Sequence, residues 1–422
     1  MHEVSGVEVS GCVVADVGGR GFTTTLETTG SAQDASNLLL TDSVIQGCGK
    51  VVTQQPYCVF ISGKQNITVR NNDISDVPYS GIRVWGHFPT SSAAAVAFDA
   101  GGPAVFTVVQ NHVHNLGLGM LSDFGGIFVT TIPGGKTGGD CASAHGADYC
   151  NVLAVLDGNV VHGVRHHDHG GAGIYTDESS GRANITNNLV FNCSGWGLHL
   201  HCGQWHTVEN NVFVGNAAVP PAPFSQYAER DYAAEPFCNF HDHSDSVQGV
   251  VLRRNVFDQR VAPAAGVGRA VSILNNISGH TTYGNVSLVL VNTSLDLNVY
   301  SCADDGSGTD NNNNNNNDCS NDFPGASDVS GRSLAAWQTW GHEDVHSVSG
   351  DPGFPTDPSA LSRRRDFRAD PARSSALRAV GFAPLDLEVV GPRVELLTGL
   401  ATCSNNGGDA GVWWQGCDFG AI

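Results

Sequence analysis

Two short segments of the chain concentrate acidic and imidazole side chains. The segment GIYTDE (173–178) carries Asp177 and Glu178, and GLHLH (197–201) carries His199 and His201. A pair of carboxyl groups can act as acid and as base or nucleophile in glycoside hydrolysis. An imidazole beside a carboxylate can tune its pKa or carry a proton. We therefore predict that these four residues are catalytic.

Strands that stack in register would bring these segments together. Four segments share a glycine followed by alternating apolar and variable residues: GIRVW (81–85), GIFVT (126–130), GIYTD (173–177) and GLHLH (197–201). Successive strand side chains point to opposite sides, so the third and fifth positions face outward when the second and fourth form the core. At about 4.8 Å between strands, two outward columns result. They are Arg83–Phe128–Tyr175–His199 and Trp85–Thr130–Asp177–His201.

The columns predict a sugar-binding cleft. Trp85 and Tyr175 can stack on pyranose faces, and Arg83 supplies a cationic donor. These three residues are predicted substrate contacts.

A second carboxylate is needed beside Asp177. Adjacent strand residues point to opposite sides, so Glu178 faces the cleft only if a turn begins there. Asp123, three residues before Gly126, is the other candidate. It fits a turn cap equally well.

Two runs combine histidine and aspartate, RHHDHGG (165–171) and NFHDHSD (239–245). A transition-metal site is conceivable there, but adjacent loop residues seldom converge on one ion. We therefore assign no metal ligand, and expect the first run to line the cleft, with His169 as a substrate contact.

Asparagine-centred units repeat along the chain, among them ITVRNNDISDV, FTVVQNHVHNL, LAVLDGNVVHGV and ANITNNLVF. Each reads as a short alternating strand, a turn and another short strand, which buries one side only. Stacking such units makes one continuous core, as in a solenoid. The recurring asparagine suits left-handed turn geometry and side-chain ladders. The repeat predicts an all-β chain folded as a right-handed parallel β-helix; a propeller or sandwich expects longer strands or tight hairpins.

The repeat also predicts the domain organisation: a β-helix over 1–303, an Asn-rich low-complexity loop over 304–330 and a wrapping or capping segment over 331–422. Long insertions, Phe88–Pro103, Pro133–Tyr149 and Ala217–Ser246, are expected to wall a binding site.

Charge and length exclude some partners. The net charge of −20 repels nucleic acid and anionic membranes. No apolar run approaches the roughly 20 residues that span a bilayer, so we expect no membrane span. The charge also weighs against a polyanionic substrate.

Twelve cysteines favour an oxidising compartment. Short disulfides are expected at Cys48/Cys58, Cys141/Cys150, Cys193/Cys202, Cys302/Cys319 and Cys403/Cys417. The sequence contains no CxxC motif of the kind that binds zinc. Six Asn-x-Ser/Thr sequons agree with a secreted glycoprotein. The N-terminus has no signal peptide and begins in a strand pattern, which suggests a truncated chain.

Three segments resemble a known family, the secreted right-handed parallel β-helix repeat proteins related to glycoside hydrolases and more distantly to pectate-lyase-like enzymes. They are MLSDFGGIFVTT, with Phe128 where the family has Tyr; GGAGIYTDESSG with GLHLHCG; and the tail from LAAWQTWG to DFRADPARSSALRAVGF, with Ser375 where Pro is usual. The resemblance runs from about residue 35 to 395. It implies the fold and a carbohydrate-active role more than one reaction.

Three functions remain open. The first is a secreted, monomeric glycoside hydrolase that acts on a polysaccharide and needs no cofactor. The second is a polysaccharide lyase or uronate epimerase, in which His or Tyr removes a proton beside a carboxylate that Arg83 or Ca²⁺ neutralises. The third is a non-catalytic glycan-binding surface protein.

Overall fold

The structure is a computed structural model. It describes residues 5–24, 36–52, 55–62, 65–87, 106–132, 154–167, 170–177, 180–200, 205–214, 234–235, 250–259, 294–302, 334–341, 344–354, 367–393, 402–403 and 417–418. The Asn-rich tract 304–330 and the predicted insertions, apart from 234–235, lie outside these ranges.

Short β-strands form most of the secondary structure. The first fourteen are β1 (Ser5–Ser10), β2 (Val13–Ala15), β3 (Phe22–Thr23), β4 (Ser36–Thr41), β5 (Val44–Gln46), β6 (Tyr57–Ser62), β7 (Gln65–Arg70), β8 (Asp73–Val77), β9 (Ser80–His87), β10 (Phe106–Val109), β11 (His112–Leu116), β12 (Gly125–Ile132), β13 (Ala154–Asp157) and β14 (Val160–Val164). The others are β15 (Ala172–Thr176), β16 (Ala183–Thr186), β17 (Leu189–Phe191), β18 (Leu198–Leu200), β19 (Thr207–Glu209), β20 (Val212–Val214), β21 (Ala234–Glu235), β22 (Val251–Arg253), β23 (Val256–Gln259), β24 (Ser294–Asp296), β25 (Val299–Cys302), β26 (Val348–Ser349), β27 (Thr402–Cys403) and β28 (Cys417–Asp418). The described helices are α1 (Leu334–Gly341) and α2 (Ser375–Val380).

Three parallel sheets run along the molecule, and most coils add one strand to each. Sheet 1 has the order β1-β4-β7-β10-β13-β16-β19-β22-β24. Sheet 2 has the order β2-β5-β8-β11-β14-β17-β20-β23-β25-β26. Sheet 3 has the order β21-β18-β15-β12-β9-β6-β3. This topology confirms the right-handed parallel β-helix that the repeat predicts.

The core lies between the sheets and consists of stacked apolar side chains. In sheet 3, Ile127 pairs with Ile82 and Ile174, and Ile174 pairs with Leu198. All four are fully buried, and each such side chain contributes roughly 1.5–3 kcal/mol through its burial. The second positions of the four segments therefore face the core, as the alternation in the sequence predicts.

A ladder of buried asparagines follows the turns between sheets 1 and 2. In each ladder residue after Asn72, the side-chain Oδ1 accepts the backbone N–H of the ladder residue one coil earlier, at 2.9–3.1 Å. The same Oδ1 accepts an Nδ2–H from that earlier residue, at 2.9–3.2 Å. The ladder comprises Asn72, Asn111, Asn159, Asn188, Asn211, Asn255 and Asn298.

The predicted turn asparagine proves to be two positions with separate roles. The residue before each ladder residue has a left-handed backbone, with φ between 52° and 64° at Asn71, Gln110, Gly158, Asn187, Asn210, Arg254 and Leu297. The expectation that one asparagine serves both purposes is therefore wrong. In the pairs Asn71–Asn72, Asn187–Asn188 and Asn210–Asn211, the first residue turns the chain and the second builds the ladder.

The described part of the C-terminal region packs on the outer surface of sheet 2. Helix α2 begins after Ser374, whose hydroxyl accepts the Leu377 N–H at 3.1 Å, and ends at Gly381 with φ 68°. Its apolar side chains join those of sheet 2 in a second cluster that includes Phe191, Val214, Val256, Phe367, Leu377 and Val380. The capping role of this region and the domain boundaries stay predictions.

Residues 382–393, which we name the C-terminal strap, run back towards the first coils. Ala383 exchanges hydrogen bonds with Asn210, at 2.7 and 2.9 Å. The Gly391 N–H donates to the Gln110 carbonyl at 2.9 Å. Arg393 then donates to the buried Asp42 carboxylate, at 2.9 and 2.7 Å. Burial opposes the charge of Asp42, but the hydrogen bonds from Arg393 prevail and lower its pKa.

The structure describes the first predicted cysteine pair as thiols. Cys48 and Cys58 are buried with their Sγ atoms 2.6 Å apart, the Cys58 thiol donating to Cys48, and neither is bonded. The two thiols form a close pair and the expected disulfide stays a prediction, while burial raises the pKa of Cys58 well above its usual value. Cys403 lies opposite Cys417 in the antiparallel pair β27–β28. The other three pairs include residues outside the described ranges.

None of the helices in the described ranges has both the length and the apolar character that crossing a bilayer requires.

Candidate active site

The first predicted column exists in sheet 3. Strands β9, β12, β15 and β18 place Arg83 beside Phe128, Phe128 beside Tyr175, and Tyr175 beside His199. The rings contact one another directly. The Arg83 guanidinium lies 3.6 Å from the Phe128 ring centre, Phe128 stacks on Tyr175 at 4.7 Å, and Tyr175 meets His199 edge-on at 4.5 Å.

This column is covered, which corrects the expectation of an open outward shelf. Arg83, Phe128, Tyr175 and His199 are between 3% and 6% exposed. Each ring shields its neighbours, and Trp196 stacks on His199 at 4.4 Å. Solvent reaches the face at Asp123, which is exposed, and at Trp85 and Asp177, which are half-buried.

Asp123 and Asp177 meet at the hydroxyl of Tyr175. This hydroxyl donates to Asp123 Oδ1 at 3.3 Å and also hydrogen-bonds Asp177. Burial and the two carboxylates raise the pKa of Tyr175 far above its usual value, so the phenol keeps its proton. Two carboxylates that share one hydroxyl lie within about 7 Å of each other, the sum of two hydrogen bonds. Asp123 and Asp177, 54 positions apart in the sequence, thus become neighbours.

The backbone fixes both carboxylates. Asp123 has a left-handed backbone with φ 59°, and its carbonyl accepts the Tyr79 hydroxyl at 2.6 Å. The Asp177 N–H donates to the Val129 carbonyl at 2.8 Å, and its own carbonyl accepts the Ser180 N–H at 3.1 Å and the Ser180 hydroxyl. Asp123 therefore serves as a turn residue and also points its carboxylate at Tyr175.

Arg83 is a buried cation, and some of its N–H groups have no acceptor among the described residues. Among the residues that the structure describes, its Nε and Nη1 atoms have no hydrogen-bond partner. Burial lowers the pKa of Arg83, while Tyr57 and Asp177 act in the opposite sense. A guanidinium nonetheless stays protonated at neutral pH. Unsatisfied buried donors are costly, so Arg83 is suited to bind an acceptor from a ligand.

Sequence reasoning missed an aromatic extension of this face. Strand β6 places Phe60 beside Arg83, yet its segment YCVFIS has no leading glycine and so fell outside the four-segment pattern. Tyr57 stacks on Phe60 at 5.6 Å and lies equally far from Tyr79, which packs on Phe124 at 5.1 Å. The two aromatic residues of this segment, Tyr57 and Phe60, were the available signal.

Of the second predicted column, Trp85 and Thr130 pair as expected. The Arg83 guanidinium also lies 4.8 Å from the Trp85 ring centre. Glu178, His201 and His169 lie outside the described residues, so their predicted roles stay predictions.

The geometry defines the class of protein: a right-handed parallel β-helix with an aromatic, charged face on one sheet. In agreement, residues 91–228 match the family model described as "Right handed beta helix region". Among solved structures the chain is similar to one titled "The complex structure of XylC with xylose", with 12% identity and a TM-score of 0.36. The match covers 65% of this chain and 52% of that one, about half its length. No curated protein matches the chain.

Proposed function

We propose that the chain is a carbohydrate-active enzyme, a glycoside hydrolase that cleaves a polysaccharide bound across the outer face of sheet 3. The observation that carries this proposal is the meeting of Asp123 and Asp177 at the Tyr175 hydroxyl. Glycoside hydrolysis uses two such carboxyl groups, one on each side of the scissile bond. Trp85, half-buried in the same sheet, offers a ring on which a sugar can stack.

The proposed roles follow from the surroundings of each carboxylate. Asp177 is attracted by the Arg83 charge, which suits it to act ionised, as base or nucleophile. Asp123 takes the other role and gives its proton to the glycosidic oxygen as the bond to the anomeric carbon breaks. The attacking water supplies the replacement proton and the hydroxyl that completes the new reducing end. Tyr175 and His199 act as positioning residues, while Glu178 stays the alternative second carboxylate and His201 a proton carrier.

Digestion of a polysaccharide panel tests the reaction class. We expect the full chain to release new reducing ends without ultraviolet absorbance from unsaturated sugars. Products that absorb would identify a lyase instead. Retention of the protein on a glycan without any product would identify a binding protein and overturn the hydrolase.

A lyase or epimerase acting on uronates is the second candidate, and Arg83 is the observation that favours it. Among the described residues, two buried N–H groups of Arg83 have no hydrogen-bond partner, and a carboxylate is an acceptor that a guanidinium binds strongly. The positive charge of Arg83 would offset part of the repulsion from Asp123 and Asp177, and Ca²⁺ held by these two carboxylates would assist.

Replacing Arg83 by glutamine separates the two candidates. If a uronate carboxylate binds there, activity falls about 100-fold or more on uronate polymers, since a charged partner is lost. Under the hydrolase proposal neutral polysaccharides remain the substrates. Arg368→Gln is the matched control, because Arg368 is exposed and pairs only with Glu388, at 2.6 Å, among described partners. Equal activity of Arg83→Gln and the control on uronates would remove the second candidate.

We also propose that the chain works as a monomer in an oxidising, extracellular compartment, where Cys48 and Cys58 join. Their proximity and the cysteine content support this. Alkylation of the denatured, unreduced protein, read by mass spectrometry, is expected to leave both unmodified while Cys12 reacts. Modification of both without reduction would contradict the disulfide.

A further inference from the structure

A cluster of three histidines and one aspartate lies on sheet 2, away from the carbohydrate face. Strands β8, β11 and β14 are neighbours, with Asp73 paired to His112 and His114 paired to His162. The alternate residues Ile74, Val113 and Val161 are buried in the core, so all four polar side chains share the outer face of the sheet.

The nitrogen and oxygen atoms of this cluster converge. Asp73 Oδ2 lies 2.8 Å from His112 Nδ1, and Asp73 Oδ1 lies 3.2 Å from His114 Nε2. One ligand atom from each of Asp73, His112 and His114 can be chosen so that all lie within 4.8 Å of one another. Ligands bound 2.0–2.2 Å from a tetrahedral ion are about 3.3–3.5 Å apart, so small side-chain movements suffice.

From this convergence we propose that Asp73, His112 and His114 bind a divalent first-row transition-metal ion such as Zn²⁺. Two imidazoles and one carboxylate suit such ions, whereas Ca²⁺ and Mg²⁺ prefer oxygen alone. His112 binds through Nδ1 and His114 through Nε2, the atoms that face Asp73. A water molecule completes the coordination.

His162 supplies the support that metal-binding histidines need. Its Nε2 lies 2.9 Å from His112 Nε2, the nitrogen that faces away from Asp73. In the tautomer whose Nε2 carries no proton, His162 accepts the His112 Nε2–H. Such a hydrogen bond fixes the tautomer and orientation of a ligating histidine. The His162 ring is itself held by Phe191, stacked at 4.6 Å.

The cluster is shielded but reachable. The side chains of Asp73, His112 and His114 are 6%, 14% and 19% exposed. The C-terminal strap passes beside it, since a side chain at Gly391 would contact His112 at 3.9 Å. The ion would therefore link two successive coils next to the strap and stabilise the folded chain by mass action.

Titration of the chelator-treated full chain with Co²⁺ and with Zn²⁺ tests the proposal. We expect one equivalent to bind, with a visible Co²⁺ absorption band that Zn²⁺ removes and Ca²⁺ does not. His114→Ala is expected to abolish this binding. His162→Phe keeps a ring against Phe191 and is expected to weaken affinity about 10–100-fold.

Asp296→Asn/His346→Ala is the matched control, because it removes another histidine–carboxylate pair, with Nδ1 and Oδ2 2.6 Å apart on the surface. Its binding should equal that of the wild type. Circular dichroism establishes that each variant is folded. Absence of binding by the folded wild type, or the same single equivalent in folded His114→Ala, would overturn the proposal.

Discussion

Asp177→Asn is expected to reduce turnover of the cleaved polysaccharide by about 10²–10⁴-fold, the usual contribution of a positioned acid or base. The amide keeps the size of the side chain and can still hydrogen-bond Tyr175, but it can neither take up a proton nor attack the anomeric carbon. The loss should therefore appear in kcat rather than in KM. Initial rates of reducing-end release measure it.

Asp157→Asn is the matched control for this experiment. Asp157 is also half-buried, and its carboxylate accepts hydrogen bonds from Thr186 and Asn187, but it ends a strand of sheet 1. Its variant should retain wild-type kcat. Asp123→Asn should lose turnover as Asp177→Asn does, because the two carboxylates act as a pair. Wild-type turnover in both Asp123→Asn and Asp177→Asn would refute the assignment of the site.

Asn188→Ala is expected to lower the free energy of unfolding by about 3–5 kcal/mol, because it orphans several buried groups at once. The Asn188 Oδ1 accepts the backbone and side-chain donors of Asn159, at 2.9 and 3.0 Å. Its Nδ2 donates to the Leu156 and Thr186 carbonyls and to Asn211 Oδ1. Equilibrium denaturation in urea measures the change.

The residue before Asn188 provides the contrast. Asn187 has a left-handed backbone with φ 56°, which glycine adopts without strain. Asn187→Gly loses only partly solvated hydrogen bonds, so it should lower the free energy of unfolding by about 1 kcal/mol or less. If Asn187→Gly and Asn188→Ala lower the free energy of unfolding by the same amount, the asparagine ladder does not stabilise the β-helix more than the turn residues do.

Much of the candidate site follows from local pattern. In sheet 3 the alternation fixes which residues face outward, and the shared glycine frame gives the correct register between Arg83, Phe128, Tyr175 and His199. The pattern could not reveal that this column is covered. Burial there comes from contacts with Tyr79, Phe124 and Trp196, which lie between strands and have no place in the strand frame.

The His–Asp cluster shows the opposite case. Its members sit at ordinary outward positions of the repeats NDISDV, NHVHNL and NVVHGV, 39 and 50 residues apart. The sequence pattern indicates the run 165–171 as a metal candidate, because its histidine and aspartate residues are adjacent in sequence. Metal ligands must be adjacent in space, and stacking in sheet 2 decides that.

The sequence by itself determined the fold, because a repeat that buries one side of each short strand can complete its core only by stacking. It also determined the shared outward column of Arg83, Phe128, Tyr175 and His199, because strand geometry alternates strictly. Only the tertiary structure decided which side chains meet across coils. Insertions of different length separate the coils, so contacts such as Asp123 with Tyr175, or Asp73 with His114, depend on register and loop path. Those are set by packing over the whole chain.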